Sequence, residues 1–315
     1  MRKHENNEIR KDSWLPLWEP RRVTKEIAAG AIHRVLGETE RRELAEIADL
    51  EEKVRGALQD PKPLDICMPV LNAVLAAQYY EAFEALQPPR TMSVYEPCVG
   101  ASCPVILAAA AYGEVRPSPC PLPQGEGVAG ASYLAINLNR KLREQLQPKI
   151  AHLKMPVRII EDNAQRALEH LAPHSFDVAC FHHAVNDILQ TAVSEPRGMD
   201  TTDIDWFPNE RQMIEWLAED AKAGRLEQRG RPELLQIVGD AARLVRPGGF
   251  LLFDHFNWCK FIGVSWFPWE LFYNLIPMTR RWIAESGLSL SEVRLEGVDP
   301  QWWYMCRKEI VKRKK

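Results

Sequence analysis

From residue 92 onward, short runs rich in β-branched and aromatic residues alternate with longer helix-favouring runs. The predicted strands cover residues 92–96, 132–137, 157–161, 176–182, 249–254, 290–297 and 301–307. The helices predicted between them cover residues 103–112, 139–152, 163–171, 209–223, 232–245 and 269–286. Because strands that alternate with helices pair in parallel, the pattern predicts a Rossmann-like, doubly wound α/β fold with helices on both faces of the sheet.

The last two predicted strands are joined only by residues 297–300, Gly-Val-Asp-Pro. A connection this short cannot hold a crossover helix, so we expect the two strands to form an antiparallel hairpin. The sequence therefore predicts a seven-stranded, mostly parallel sheet that closes with a C-terminal antiparallel hairpin.

Residues 1–90 contain no convincing strand. Apolar residues recur there at spacings of three and four, which is typical of one face of an amphipathic helix. That face consists of Leu71, Leu75, Tyr79, Ala82 and Leu86. We predict an N-terminal helical extension over residues 1–90, packed beside an α/β domain over residues 91–315.

Two segments interrupt the alternation. Residues 114–129 are rich in proline and glycine, which favours neither a helix nor an interior strand. We interpret them as an inserted surface loop, with a proline-rich ligand for a partner domain as the alternative. Residues 190–232 exceed what a minimal domain needs, and we expect part of them to form a lid.

The composition is that of an ordinary soluble protein, with 46% hydrophobic and 26% charged residues. The net charge of −3 gives no reason to expect a nucleic-acid or membrane partner. The seven cysteines include no C-x-x-C pair, which favours reduced thiols over a zinc or redox motif. The N-terminus is charged with no apolar stretch behind it, and we expect a cytoplasmic protein.

The segment Glu96-Pro97-Cys98-Val99-Gly100-Ala101-Ser102 lies between a predicted strand and a predicted helix. A turn of small residues lets backbone approach a ligand, and the new helix offers free N–H groups at its positive end. Ser102 is suited to cap that helix, and Pro104 to sit in its first turn. The pattern is typical of a nucleotide site, although an ordinary strand-to-helix loop gives the same signal.

In order along the chain, several segments resemble class I S-adenosylmethionine-dependent methyltransferases. These segments are residues 94–102, 133–139, 160–164, 176–184 and 241–252. The last of them is the most specific, because a basic-Pro-Gly-Gly turn between a helix and an apolar strand is a hallmark of that family. The resemblance covers about residues 92–307 and implies S-adenosyl-L-methionine as the cofactor.

The resemblance also implies roles for individual residues. Residues after the first strand would hold the methionine part of the cofactor, and those after the second and third strands the ribose and the adenine. These cofactor residues are Glu96, Pro97, Cys98, Gly100, Ser102, Asn137, Leu138, Asp162, Asn163 and His182. At the end of the fourth strand, His182 would face the cofactor.

The chain departs from the family pattern at two places in this set. The glycine-rich turn keeps only Gly100, with Cys98 and Ser102 at the other small-residue positions. Asn137 stands where an acid normally meets the ribose hydroxyls, which removes a charge-assisted hydrogen bond worth roughly 1 kcal/mol. We expect weaker cofactor binding without loss of activity.

Methyl transfer chiefly requires alignment and exclusion of water, so a sharp catalytic motif is not expected. His183 and His255 are the candidate catalytic bases, since histidine titrates near neutral pH. Neighbouring side chains on a strand point to opposite faces, so we expect no metal at His182 and His183. Asn186-Asp187 would cap the next helix or hydrogen-bond a substrate.

The favoured hypothesis is a methyltransferase that acts on a small organic acceptor. Phe181-His182-His183-Ala184 is not the Asn/Asp-Pro-Pro-aromatic tetrapeptide of nucleic-acid amino-methyltransferases, and aromatic residues crowd the C-terminal third. Oxygen, nitrogen, sulfur and carbon all stay open as the acceptor atom. The alternatives are a catalytically silent binding or scaffold protein and a nicotinamide-dependent oxidoreductase, whose G-x-G-x-x-G motif is absent from the first turn.

Overall fold

The computed structural model of the chain describes residues 32–46, 68–114, 131–255 and 265–310. Seven strands form one sheet in the order β3-β2-β1-β4-β5-β7-β6. The strands are β1 (Ser93–Glu96), β2 (Ser132–Ile136), β3 (Val157–Ile160), β4 (Phe176–His182), β5 (Val245–Asp254), β6 (Leu290–Glu292) and β7 (Trp303–Lys308). β1 to β5 pair in parallel, whereas β7 runs antiparallel to both β5 and β6. The predicted fold class is confirmed.

Helices cover both faces of this sheet. They are α1 (Ile32–Val35), α2 (Glu38–Ala45), α3 (Met68–Leu86), α4 (Pro104–Glu114), α5 (Arg140–Ile150), α6 (Ala167–His170), α7 (Ala184–Ser194), α8 (Trp206–Lys222), α9 (Gly230–Leu244), α10 (Trp269–Tyr273) and α11 (Leu275–Glu285). Among the described residues, no helix combines the length and the apolar character needed to cross a membrane.

The side chains of strand β4 alternate between two cores, one on each face of the sheet. All seven of its residues are buried. Val178 and Cys180 pack into a cluster with α3 and α4, whereas Ala179 and Phe181 pack into a second cluster with α7, α9 and α11. This period of two is what a central strand with helices on both faces requires.

Helix α3, from the predicted N-terminal extension, belongs to the first of these cores. Its Phe83 ring lies edge-on to the Tyr112 ring of α4, with 5.8 Å between the ring centroids. The Arg90 guanidinium lies 3.8 Å from the centroid of the same Tyr112 ring. α3 is therefore held against the sheet, and the domain boundary at residue 90 stays a prediction.

Several elements differ from their prediction. Helix α7 is absent from the predicted helices, and its N-cap, His183, has a left-handed φ of 53° and no capping side-chain hydrogen bond, so the usual start signal is missing. Strand β6 ends at Glu292 rather than at residue 297, because the chain then turns toward β7. The predicted proline-rich insertion at 114–129 lies, apart from Glu114, outside the described residues.

The Pro-Gly-Gly turn stands inside β5, which begins at Val245 rather than at the predicted residue 249. Gly248 has a left-handed φ of +85°. A Cβ on Gly249 would lie 2.4 Å from the Asp177 carbonyl oxygen and 2.7 Å from a Val245 methyl. The second glycine is therefore required because β4 and β5 approach closely there.

We predict that Gly249→Ala lowers the free energy of unfolding by about 1–3 kcal/mol, because the added methyl has no room between β4 and β5. Gly239→Ala is the matched control, since its Cβ would make only an ordinary 3.7 Å contact with Leu288. That change should stabilise helix α9 by up to about 1 kcal/mol. Urea unfolding of both variants checks the pair, and equal effects would contradict the steric explanation.

Candidate functional site

Two adjoining cavities lie at the carboxyl ends of the parallel strands. Ligand crevices in open α/β sheets form at that edge where the strand order reverses, which here is between β1 and β4. The first cavity lies beside the ends of β1, β2 and β3, and the second lies beside the β1–α4 turn and the end of β4. Leu142, Asp187 and Trp206 line both cavities and form the boundary between them.

Seven of the ten residues assigned to the cofactor line these cavities. Cys98, Asn137, Leu138 and Asn163 line the first cavity. Gly100, Ser102 and His182 line the second. Glu96, Pro97 and Asp162 are outside the described linings of both. The structure thus brings together residues from the ends of four strands.

The turn after β1 contains a residue with a left-handed φ, a backbone conformation that usually favours glycine. Cys98 has a left-handed φ of 60°. Val99 N–H donates to the Ile136 carbonyl at 3.1 Å, which ties the turn to the end of β2. At Gly100, no heavy atom of the described residues lies within 4 Å of where a Cβ would stand. The turn therefore leaves open space in front of Gly100, toward the second cavity.

Asn137 is buried, and both the nitrogen and the oxygen of its side-chain amide already make a hydrogen bond. Its Nδ2 donates to the Val99 carbonyl, and its Oδ1 accepts from Asn139 N–H at 2.9 Å. An amide has a second N–H and a second acceptor lone pair, so one further bond on each atom is possible. Asn137 therefore holds the β1 turn against β2 and keeps the capacity to meet a hydroxyl.

Asp162 points to its own helix rather than to a cavity. Its carboxylate bonds His170 Nε2 at 2.6 Å, Arg166 at 3.1 Å and Asn163 N–H at 2.7 Å. The hydrogen bond to His170 lowers the pKa of Asp162. Asn163, which lines the first cavity, caps the next turn by accepting from Gln165 N–H at 2.9 Å.

A buried carboxylate organises the far side of the second cavity. Asp254, at the end of β5, is fully buried and lies 2.9 and 3.1 Å from His182 Nδ1 through its two oxygens. It also accepts a hydrogen bond from the Tyr79 hydroxyl of α3. Burial and Asp254 raise the pKa of the Tyr79 hydroxyl well above its usual value. Burial, with a smaller effect of Asp254, also raises the pKa of Glu96.

The two histidines predicted as bases lie against each other. The rings of His183 and His255 stack with 4.6 Å between centroids and 8° between planes. His183 lines the second cavity, and Asn186 Nδ2 lies 3.3 Å from its Nε2. His255 is fully buried behind it and is outside the described linings of both cavities.

Asp187, on the first turn of α7, faces both cavities. Burial and the Glu210 carboxyl of α8 raise its pKa from 3.8 to about 8. Asn186 Nδ2 donates to Asp187 Oδ1 at 3.1 Å and offsets part of that rise. Asp187 is therefore mostly protonated at neutral pH and presents an O–H donor to the cavities.

The remaining walls come from elements outside the strand ends. Trp206, Phe207 and Glu210 of α8, within the segment predicted to hold a lid, line the second cavity. Asn72 of α3 also lines it.

Among the aromatic residues of the C-terminal third, Trp302 and Trp303 are buried in the core, and Trp258 lies outside the described residues.

The sequence interpretation missed Tyr79 and Asp254 as a pair. They are 175 positions apart, so no spacing rule connects them. In the sequence, Tyr79 was only one apolar position on an amphipathic helix, and Asp254 was only the last residue of the predicted strand 249–254. A polar atom on a helix face predicted to be buried is the signal that points to such a partner.

We predict that the free energy of unfolding falls as pH rises from about 4 to 8. Asp187→Asn should remove the part of this fall that is due to Asp187. The folded state keeps the Asp187 proton up to pH about 8, whereas the unfolded chain releases it near 3.8, so the folded state binds more protons in this range. The effect is at most about 1.4 kcal/mol per pH unit. Urea unfolding at several pH values measures it, and parallel curves for the two proteins would contradict the assignment.

We also predict that Cys98→Gly stabilises the fold by about 1 kcal/mol, because glycine adopts the left-handed conformation without strain. Cys103→Gly is the contrasting change, since Cys103 is buried without a left-handed φ and would lose packing. Thermal unfolding distinguishes them. A destabilised Cys98→Gly variant would mean that the Cys98 side chain contributes more than its conformation costs.

Comparison with known proteins gives likenesses to solved structures. No protein-family model matches the chain, and no curated protein matches it. A SAM-dependent methyltransferase from Methanosarcina mazei is 10% identical over 70% of this chain and 94% of its own length, with a TM-score of 0.37. The CurJ carbon methyltransferase is 10% identical over 87% of this chain and 71% of its own length, with a TM-score of 0.41.

A further solved structure, PH0851, is 14% identical over 74% of this chain, with a TM-score of 0.40. The chain spans 45% of the length of that protein. These three TM-scores lie below 0.5. The strand order of the chain itself shows a seven-stranded, mostly parallel sheet with an antiparallel β7.

Proposed function

We propose that the chain is an S-adenosylmethionine-dependent methyltransferase that acts on a small organic acceptor. The observation that carries this proposal is the convergence of seven predicted cofactor residues on two adjoining cavities. These residues come from segments that are far apart in sequence. Strand-to-helix loops that bind no ligand would not be expected to supply both polar and apolar walls to the same crevice.

The residues present fit such a cofactor. The open space in front of Gly100 admits a ligand against the backbone of the turn. In the first cavity, Leu138 and Ile188 supply apolar walls, and Asn137 keeps hydrogen-bonding capacity for a ribose hydroxyl. Glu195, directly after α7, and Glu233 of α9 line the same cavity and are further candidates for that contact.

When bound, the cofactor supplies a methyl group on a positively charged sulfur. The chain must place an acceptor in line with that methyl and keep water away. Trp206 and Phe207 of α8 cover the second cavity with aromatic surface, and Asn72 of α3 offers an amide to orient an acceptor. A concave pocket lined by apolar and polar side chains in this way suits a small molecule.

Titration calorimetry with S-adenosylmethionine and S-adenosylhomocysteine tests this function directly. We predict that Gly100→Val weakens binding of both at least tenfold, because the side chain fills the space in front of the turn. The free energy of unfolding should change by less than about 0.5 kcal/mol, since that space is open. Gly239→Ala, on the outer side of α9, is the control and should bind like the wild type.

The possible results separate the competing functions. Failure of the wild-type protein to bind either ligand would eliminate the proposal, and binding of reduced nicotinamide would favour an oxidoreductase. Tight binding without methyl transfer to any acceptor would favour the catalytically silent alternative. That alternative is motivated by Cys98 and Asn137, which stand at positions where the family normally has a glycine and an acid.

A further inference from the structure

We propose that His182 is the general base of the reaction and that the acceptor atom is the oxygen of a phenol-like hydroxyl group. This inference rests on the proposed function and specifies its acceptor class. It differs from the sequence prediction, in which His183 and His255 are the candidate bases and His182 contacts the cofactor.

The sheet itself fixes His182 beside a carboxylate. His182 ends β4, Asp254 ends β5, and the two residues are register partners in neighbouring parallel strands. The Nδ1 atom of His182 lies 2.9 Å from Oδ2 and 3.1 Å from Oδ1 of Asp254. Because both residues are buried and their strands pair directly, the pair is held by backbone hydrogen bonds rather than by a loop.

This contact decides which ring nitrogen is the base. A carboxylate accepts hydrogen bonds, so His182 Nδ1 carries the hydrogen and Nε2, on the other edge of the ring, carries the lone pair. His182 lines the second cavity, into which an acceptor would enter. When Nε2 takes up a proton, the adjacent Asp254 carboxylate stabilises the imidazolium that forms.

Tyr79 of α3 positions this pair. Its hydroxyl donates to Asp254 Oδ1, and its ring lies edge-on to the His182 ring, with 5.6 Å between centroids and 81° between planes. The raised pKa of Tyr79 keeps its hydroxyl protonated, so it stays a donor. Tyr79 therefore restrains both the carboxylate and the imidazole without touching the acceptor.

His183 is a less suitable base because of its surroundings. Its ring is stacked on the buried ring of His255, and a positive charge on one ring disfavours a charge on the other. Its Nε2 lies 3.3 Å from the amide nitrogen of Asn186, which can only donate. The described residues place the Asp254 carboxylate against His182 instead.

The need for a base restricts the acceptor. A base contributes when the attacking atom holds a proton with a pKa well above neutral, whereas a neutral amine attacks with its own lone pair. A phenol gives up its proton to a side-chain base more readily than an aliphatic alcohol does, because it is the stronger acid. Trp206 and Phe207 add aromatic surface against which a planar acceptor would pack.

In the proposed step, the hydroxyl proton of the acceptor passes to His182 Nε2. The electron pair of the acceptor oxygen forms the new bond to the methyl carbon as the carbon–sulfur bond breaks. The electron pair of that bond returns to sulfur, which becomes a neutral thioether. The products are an aryl methyl ether, the demethylated cofactor and a proton that the imidazolium later releases to solvent.

The test uses full-length protein, methyl-labelled S-adenosylmethionine and three matched acceptors: phenol, aniline and thiophenol. We predict that His182→Ala slows transfer to phenol by about 10²–10⁴-fold and transfer to thiophenol by less than about threefold, because a thiolate needs no base. Added imidazole should restore part of the phenol rate in this variant. Binding of S-adenosylhomocysteine should change by less than about threefold, which separates a base from a cofactor ligand.

Tyr79→Phe gives a milder test that keeps the ring and the packing. It should slow transfer to phenol by about 3–30-fold, whereas Tyr80→Phe should not, because the Tyr80 ring packs on Tyr112 away from Asp254. In the wild-type protein, ¹⁵N NMR of the imidazoles should show His182 as the Nδ1–H tautomer. That spectrum does not depend on any acceptor or on how a variant folds.

The outcomes distinguish this inference from the function on which it rests. If the wild-type protein binds no cofactor, the proposed function fails. If it binds cofactor but methylates only aniline or thiophenol, or none of the three, the inference fails. It also fails if His182→Ala keeps phenol transfer within about tenfold of the wild type, or if NMR shows the Nε2–H tautomer.

Discussion

The buried carboxylate of Asp254 is the group on which the second cavity depends. A carboxylate without partners at full burial would cost several kcal/mol, so its bonds to His182 and Tyr79 are required for the fold as well as for the site. These bonds join β4, β5 and α3 at one point. The interaction that makes the end of the sheet stable therefore also sets the distance between the sheet and the N-terminal helix.

The architecture was accessible from sequence because its signals are local. Alternating runs of residues predicted five parallel strands. The antiparallel β7 was predicted from a short connection at residues 297–300, although residues 293–302 join β6 to β7 in the structure. The Pro-Gly-Gly turn was recognisable because a close approach of β4 and β5 allows only glycine at residue 249. Helix α7 was not predicted, since a left-handed His183 takes the place of a capping side chain.

The candidate site was predictable only where it follows strand ends in sequence. Cys98, Asn137 and Asn163 line the first cavity because each lies within three residues of the end of a strand that stops there. Asp162 lies outside the cavity linings because its carboxylate bonds His170, eight residues further along the chain. The contact of Tyr79 with Asp254 could not be predicted, because it depends on how α3 packs against the sheet.

The origin of the crevice walls has a consequence for how such a protein could change over evolutionary time. The crevice is assembled from two sources, with strand ends on one side and accessory helices on the other. Substitutions at Asn72 or Phe207 would remodel what the pocket accepts, while the turn at Gly100 stayed intact. The side chains that shape the acceptor's surroundings are therefore separate from the backbone turn at Gly100.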